Sequence, residues 1–328
     1  MEKTNSPFDL QSGDGSGDPD DPLVSIVIRS YNEAWALPET LGALAEQTYH
    51  NWELIVLDSG STDNSADLIR AAKPKHFIQN KPGTYNPSRV MNHGMRLASS
   101  NYVVFLNADA TPLNANWLAP LVRPLKDPRV AAVFGCQVPR ADCRAVYAAD
   151  YDRCFGPHRA APAWPHFFSM VNSGIRKDIW ALRGFNEKMQ YSEDDEYTRW
   201  CRGMGYQFQY VPASCVTHSH NYTPSEAARR QAGEARALAM VWEGDPSHFN
   251  FVRTVGLGLL NDARRDLAFC FRRRRLLEWP HAVRIRWCQR RARLQGFREG
   301  WRTFRQADKR STVLPPFCSS ANKGGAKE

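Results

Sequence analysis

The chain has 328 residues, 42% of them hydrophobic, and a formal charge of +9. That is enough apolar material for one large α/β domain with an appendage, and the composition excludes fibrous and low-complexity classes. No apolar run approaches the roughly 18 residues that a membrane-spanning helix needs; the longest, Val24–Ile28 and Tyr102–Leu106, have strand length.

Residues 1–21 are rich in Gly, Ser and Asp, and their acids outnumber the single Lys3. They lack the basic start and apolar stretch of a secretory signal, so a disordered acidic leader is expected. Leu23–Arg29 is a β-branched run that reads as a buried strand, and Ala36–Gln47 has helical spacing. Trp52–Asp58 reads as a second buried strand, followed by a helix over Asp63–Ala72 capped by Ser61 or Asp63. A short strand at Lys75–Gln79, a helix at Ser88–Ala98, a strand at Tyr102–Asn107, a helix at Trp117–Leu125 and a strand at Val130–Phe134 follow. Strands alternating with helices predict a mostly parallel sheet flanked by helices on both faces, with ligands bound beyond the strands' carboxyl ends. Three polar clusters stand there: Ser30-Tyr31-Asn32-Glu33, Asp58-Ser59-Gly60-Ser61 and Asn107-Ala108-Asp109.

Residues 137–168 show little periodicity and many aromatics, as a substrate-shaping stretch would. Ile175–Arg183 and Glu193–Met204 are predicted helices, Tyr206–Val211 a strand and Thr223–Trp242 a long helix. Helical patterns continue to about Arg305, and the last twenty residues are expected to be mobile. The eight cysteines form no C-x-x-C pair, so scattered reduced thiols are expected, as in a cytosolic protein.

Four places could carry chemistry. Asp109 follows an apolar strand, and its carboxylate suits a hard divalent cation; capping of the next helix is the competing reading. Asn107, two residues earlier on the same strand face, could meet a ribose or a metal-bound water. Asp58 could accept a hydrogen bond from the imide of uracil or thymine, or cap the following helix. Glu193-Asp194-Asp195-Glu196 suits a helix dipole, yet Glu193 and Asp194 at the loop junction could face a cleft and accept an acceptor hydroxyl's proton. His218 and His220 would share a face of an extended chain, and one of them suffices as a metal ligand.

Together with Asn92-His93-Gly94 and Asn172-Ser173, these motifs resemble the family 2 glycosyltransferases of GT-A fold, over Val24 to Trp242. Asn92-His93-Gly94 ahead of Asn107-Ala108-Asp109, with the stretch His218-Ser219-His220-Asn221-Tyr222, looks most like bacterial rhamnosyltransferase-type members. The resemblance implies a GT-A (Rossmann-like) domain over 22–243; beyond it, the residues themselves read as a basic amphipathic helical extension over 244–308 and a mobile tail over 309–328. It implies an inverting transfer from a UDP- or dTDP-sugar to a saccharide or lipid-linked acceptor hydroxyl in cell-surface polysaccharide or glycolipid assembly. Donor-binding residues would be Arg29, Tyr31, Glu33, Asp58, Asn92, Asn107 and Asp109. Asp109 and His218 would hold Mg or Mn, and Glu193 and Asp194 would be the catalytic pair, with Asp194 the base. Position 107 is Asn where the family's D-x-D motif begins with Asp, which weakens the expected metal site by one charge. A nucleotidyltransferase that makes the activated sugar is the rival enzyme, but the first strand ends in Arg29-Ser30-Tyr31-Asn32-Glu33 with no glycine-rich phosphate loop. A non-catalytic, membrane-associated nucleotide-sugar-binding protein is the other rival.

From Arg264 to Arg305 there are fourteen arginines and no lysine against Asp266, Glu278 and Glu299, a local charge of +11 that exceeds the whole chain's +9. Interleaved with Leu, Phe and Trp, the arginines read as a binder of the inner membrane surface, so a cytoplasmic protein peripheral to that membrane is expected. No nucleic-acid motif accompanies the charge. A helical face packed on the catalytic domain is the alternative.

Overall fold

The computed structural model describes residues 21–156, 167–242 and 245–310. The acidic leader up to residue 20, the polar tail beyond 310 and Cys318 lie outside the described residues. Eight strands form one sheet in the order β3-β2-β1-β4-β7-β6-β8-β5. The first four are the expected ones: β1 (Val24–Ser30), β2 (Trp52–Asp58), β3 (His76–Gln79) and β4 (Tyr102–Asn107). β1 pairs in parallel with β2 and β4, and β2 with β3. β1 and β2 are buried along nearly their whole length, which is why they read as continuous apolar runs rather than alternating ones. The helices α1 (Leu37–Ala45), α2 (Ser65–Ala71) and α3 (Pro87–Leu97) connect them, and α4 (Leu118–Val122) follows β4 on the way to β6. α3 starts where Asn86 accepts the Arg89 amide at 2.9 Å and Pro87 occupies the first turn.

The second half departs from the expected pattern in three places. Asn172–Arg176 is a strand, β7, where the sequence reading put a helix from Ile175; only Lys177–Ala181 (α6) is helical. β7 inserts antiparallel between β4 and β6, so four of the seven pairings are parallel and the sheet is mixed. The sheet overrides local propensity there, and Gly174 permits it: a Cβ at that position would lie 2.9 Å from Leu125 Cδ1. The strand expected at Tyr206–Val211 runs on as β8 (Gln207–Thr217), and β6 extends over Val130–Val138. Their register jumps from Gly135↔Val211 to Cys136↔Cys215, so Pro212 falls in an irregularity where its missing N–H costs nothing. The aperiodic middle region contains α5 (Ala145–Phe155). A two-residue strand, β5 (Thr111–Pro112), closes the edge against β8.

α7 (Glu193–Gly203) and α8 (Pro224–Val241) complete the domain, and α8 opens with a reciprocal Thr223–Glu226 capping box. A π-helical turn, Val252–Leu257, runs into α9 (Gly258–Arg272), and α10 spans Trp279–Arg310. α10 lies along α8 because Gly296 and Gly300 leave room: a Cβ at either would meet the carbonyl oxygen of Ala232 or Arg236 at 2.2 or 2.3 Å. Many of the extension's arginines are engaged within the protein. Arg286 binds Asp266 and Asp150, Arg290 binds Asp262, Arg275 binds Glu278, and the Arg293 guanidinium lies 5.8 Å from the Phe249 ring centre. The packed-face reading therefore accounts for α10 better than a free amphipathic helix does. No described helix is long and apolar enough to cross a membrane, and no disulfide joins the seven described cysteines.

Candidate active site

Strand register brings the polar clusters to one edge. Ser30 sits beside Asp58, and Arg29 beside Asn107. The first two loops are sewn together. Asn32, at φ 55°, donates its amide to Ser61 Oγ at 2.8 Å and accepts the Thr62 amide at 2.8 Å. The Glu33 amide reaches Ser65 Oγ at 2.9 Å and the Ala34 amide reaches Asp63 Oδ2 at 3.0 Å. Asp58 is fully buried; its Oδ2 accepts the amides of Gly60 and Ser61 at 3.0 and 2.9 Å, and its Oδ1 accepts the Ser61 hydroxyl. Gly60 has φ +85°, and a Cβ there would press on the Pro82 backbone at 2.8 Å, so only glycine fits this turn. Asp58 thus builds the loop that would hold a base, while Tyr31 stands 57% exposed at the rim.

Asp109 lies between β4 and β5. The pairing of Thr111 with Thr217, and of Val138 with Thr217, delivers it to the end of β8, where His218 follows. Its Oδ2 is 3.5 Å from His218 Nε2 and 3.4 Å from His220 Nε2. Asp109 Oδ2 and His218 Nε2 are buried and have no hydrogen-bond partner. Ligand atoms that each bond one ion at about 2.0–2.2 Å lie roughly 3 Å or more apart, so this spacing fits a shared divalent cation. The tautomer fits as well. His218 Nδ1 is 2.9 Å from Gln137 Oε1, and Gln137 donates through Nε2 to Ser169 Oγ at 2.8 Å. Nδ1 therefore carries the proton and Nε2 offers its lone pair toward Asp109. Burial pushes the His218 imidazole down to about 4 and also lowers His220, so both are neutral, as ligands must be. His220, whose role the sequence left open, is the third member of this cluster.

Two other groups at this centre had no signal in the sequence. Arg140 donates to the Asp109 carbonyl oxygen at 2.8 Å, stacks 4.7 Å from the Trp35 ring centre and lies 3.6 Å from Glu39. Tyr151, from α5, lies 3.1 Å from His218 Nδ1. Both belong to the stretch without periodicity. Glu33 is pushed up to about 7 by burial and then by the Asp109 charge, which places it close to this centre too.

Asn107 accepts from Arg29 Nη2 at 2.6 Å, so its side-chain oxygen is engaged by the arginine. Arg29 acts electrostatically on Glu193 and Asp194 as well, and so links the two ends of the site. The cavity holding Asn107, His218 and His220 is about 480 Å³, and that holding Glu193 and Asp194 about 450 Å³. They share Phe167, Phe168, Arg230, Gln231 and Glu234 as lining. Gly233 of α8 helps to set the second half: a Cβ there would meet the Tyr191 ring at 2.4 Å. The ring seats against the bare helix, and the chain turns into α7 through Ser192, held at φ 54°. Burial raises Asp194; burial and the Asp194 charge raise Glu193 to about 7 and Asp195 to about 8. Asn92, expected on the donor side, is engaged in hydrogen bonds to the chain. Its amide bonds Phe185, Glu187 and Trp180 at 2.9–3.0 Å and ties α3 to the loop after α6.

The sequence profile of Glycosyl transferase family 2 matches residues 25–192, just over half of the chain. The chain belongs to this family. Among curated relatives of this family 2 glycosyltransferase, the O-antigen chain rhamnosyltransferase RfbN of Salmonella typhimurium is 28% identical over 218 residues, covering 63% of this chain and 69% of the relative. The O-antigen chain rhamnosyltransferase WbaN of Salmonella anatum is 29% identical over 223 residues, covering 64% and 70%. The solved mannosyltransferase PcManGT of Pyrobaculum calidifontis, in complex with GDP-Man and Mn2+, superposes with a TM-score of 0.58 at 21% identity over 88% of this chain and 90% of its own, which supports the GT-A-like fold.

Proposed function

We propose that this family 2 glycosyltransferase transfers a sugar of the rhamnosyl type, as the names of its O-antigen relatives suggest, from a UDP- or dTDP-sugar to a saccharide or lipid-linked hydroxyl in cell-surface polysaccharide assembly, with inversion at the anomeric carbon. The observation that carries the reading is the convergence of Asp109, His218 and His220, two of whose buried polar atoms have no partner, at the edge of a cavity continuous in lining with that of Asp194.

In this reading Asp109, His218 and His220 would hold a divalent cation, Mg or Mn, which when bound would neutralise charge on the donor's diphosphate. Arg140 adds a fixed positive charge beside that group and costs no reorganisation as the leaving group departs. Asp58 and its turn, with Tyr31 and Glu33, form the nucleoside side. Arg29 and Asn107 form the floor between donor and acceptor. Asp194 takes the proton of the attacking hydroxyl, with Glu193 beside it; a raised carboxyl is a stronger base when ionised, which suits removal of a hydroxyl proton. A single in-line displacement needs no covalent intermediate, consistent with a site built from carboxylates and imidazoles.

A thermal-shift panel of UDP-, dTDP- and GDP-sugars, with and without Mn or Mg, tests the proposal. Stabilisation by a UDP- or dTDP-sugar that depends on metal, and that is lost in Asp109→Ala, is the expected result. Metal-independent stabilisation by a purine-diphosphate sugar alone would overturn the assigned base.

A further inference from the structure

α9 is amphipathic in the reverse sense. Its two acids point inward: Asp262 accepts from Arg290 at 2.6 and 2.8 Å, and Asp266 accepts from Arg286 at 2.8 and 3.1 Å. Both aspartates are buried. Its outward seam is apolar. Leu257, Leu260, Leu267 and Phe271 are exposed at spacings of three, seven and four residues, and Arg264 fills the position between them. Those spacings stack on one face of a helix. Phe271 is 71% exposed, and Leu277 in the turn before α10 is 98% exposed. From Phe251 to Leu277 no acid reaches the surface, since Asp262 and Asp266 are the only acids in that stretch and both are buried. Arg253, Arg264 and Arg274 flank the seam as exposed cations.

We infer that the outer face of α9 and the Phe271–Leu277 turn dock the protein on an anionic phospholipid surface. An apolar seam whose exposed charges are arginines matches such a surface, the part-buried acids at its end, Asp152 and Glu278, being already paired with Arg272, Arg273 and Arg275: leucines and phenylalanine enter the acyl boundary while arginines meet headgroups. A second copy of the chain fits poorly, because a two-fold interface would oppose arginine to arginine, with the nearby Asp152 and Glu278 already engaged by arginines of their own chain. A nucleic acid would meet phosphate-binding arginines but leave the leucines against polar backbone. The inner side of α9, opposite this seam, adjoins the active-site cavity. A third cavity, about 460 Å³, is lined by Phe269 and Arg273 on one side and by Gln137 and Tyr151 on the other, and the latter two also line the cavity of His218. The surface is therefore distinct from the arginines of α10 that are consumed in internal pairs, and it confines membrane contact to one helix and one turn.

Co-sedimentation of the full chain with vesicles tests this, and it needs no sugar donor, so its failure is separable from failure of the transfer reading. The wild type is expected to pellet with phosphatidylcholine vesicles containing phosphatidylglycerol, to stay in solution with phosphatidylcholine alone, and to be released by salt. Leu260→Gln, Leu267→Gln, Phe271→Gln and Leu277→Gln combined keep the charge and should weaken binding by roughly tenfold or more. Arg264→Glu with Arg274→Glu should do the same. All of these side chains are exposed, so thermal melting should match the wild type and verify folding. Equal binding by the four-site variant, or no binding of the wild type to anionic vesicles, would overturn the assignment. A wild-type dimer that the four-site variant dissolves would also overturn it and identify the face as an interface between copies.

Discussion

The donor-side loops and the C-terminal extension are both dense in polar residues, yet they are organised in opposite ways. In the loops after β1 and β2, partners lie within a few residues or on the adjacent strand: Asp58 with Gly60 and Ser61, Asn32 with Ser61 and Thr62. In the extension some pairs are local, such as Arg275 with Glu278, but the buried arginines reach across helices: Arg286 meets Asp266, 20 residues off, and Asp150, 136 residues off. Local hydrogen bonding can be read from a motif, whereas long-range charge pairing depends on which helices meet. The same composition can thus make a catalytic rim in one region and an internal brace in another.

The sharpest contrast is functional. Asp109→Ala should remove most of the transfer activity, on the order of 10³-fold, because it deletes the proposed metal ligand and its charge. It should also abolish metal-dependent thermal stabilisation. Asp194→Asn should cost about 10²–10⁴-fold while leaving that stabilisation intact. Steady-state rates and melting curves with and without Mn check both. If the two variants behave alike in the metal assay, the division of the site into a metal end and a proton-accepting end is wrong.

In the extension the largest effect should be on stability. Asp266→Ala leaves the buried Arg286 guanidinium short of a carboxylate, and loss of one partner from a buried pair typically costs about 3–5 kcal/mol. Asp150 still faces Arg286, so the lower end of that range applies. Urea denaturation checks it, with activity of the remaining folded fraction unchanged. Gly300→Ala should cost less, about 1–3 kcal/mol, since its methyl would overlap the Arg236 carbonyl oxygen and push α10 from α8.

How far the sequence was legible follows the same division. The apolar runs of β1, β2 and β4 and the clusters at their ends located the sheet edge, Asp58, Asn107 and Asp109. β7 was not legible, because Asn172–Arg176 becomes a strand only through its neighbours β4 and β6. Arg140 and Tyr151 were not legible either: they reach His218 and Asp109 from a segment whose helix, α5, has little periodic pattern. His220 was visible as a residue, but that both imidazoles approach Asp109 depends on the bend after β8. The fate of the arginines was least legible, since Asp150, Asp262 and Asp266 gave no hint of their partners.

The acidic cluster at the start of α7 gives a pH-dependent test. Burial first, then Asp194, Glu234 and Glu193, lift Asp195 to about 8, well above the roughly 3.9 of an unfolded aspartate. A carboxyl raised on folding contributes stability that is complete below the unfolded value and is lost as pH climbs through the folded one. Wild-type melting temperature should therefore decline between about pH 4 and pH 8 from this group, and Asp195→Asn should flatten the decline, gaining on the wild type most at alkaline pH. Transfer has the opposite sign, because Asp194 must be ionised to accept a proton, so the rate should climb as stability falls. Parallel slopes for the two would break the link between burial and basicity.

The smallest effect belongs to the extension's outer pairs. Arg236 meets Glu299 at 2.6 Å across α8 and α10, but the two side chains are 54% and 39% exposed. Water screens such a pair and the ordering of two long side chains offsets much of its attraction, so Arg236→Ala should cost no more than about 1 kcal/mol. The comparison with Asp266→Ala holds helix pairing and charge type nearly constant and varies burial. If the exposed pair proves as costly as the buried one, the extension is held by charge in general. A several-fold gap instead assigns the brace to the few arginines that turn inward, and leaves the outward ones free to meet a surface.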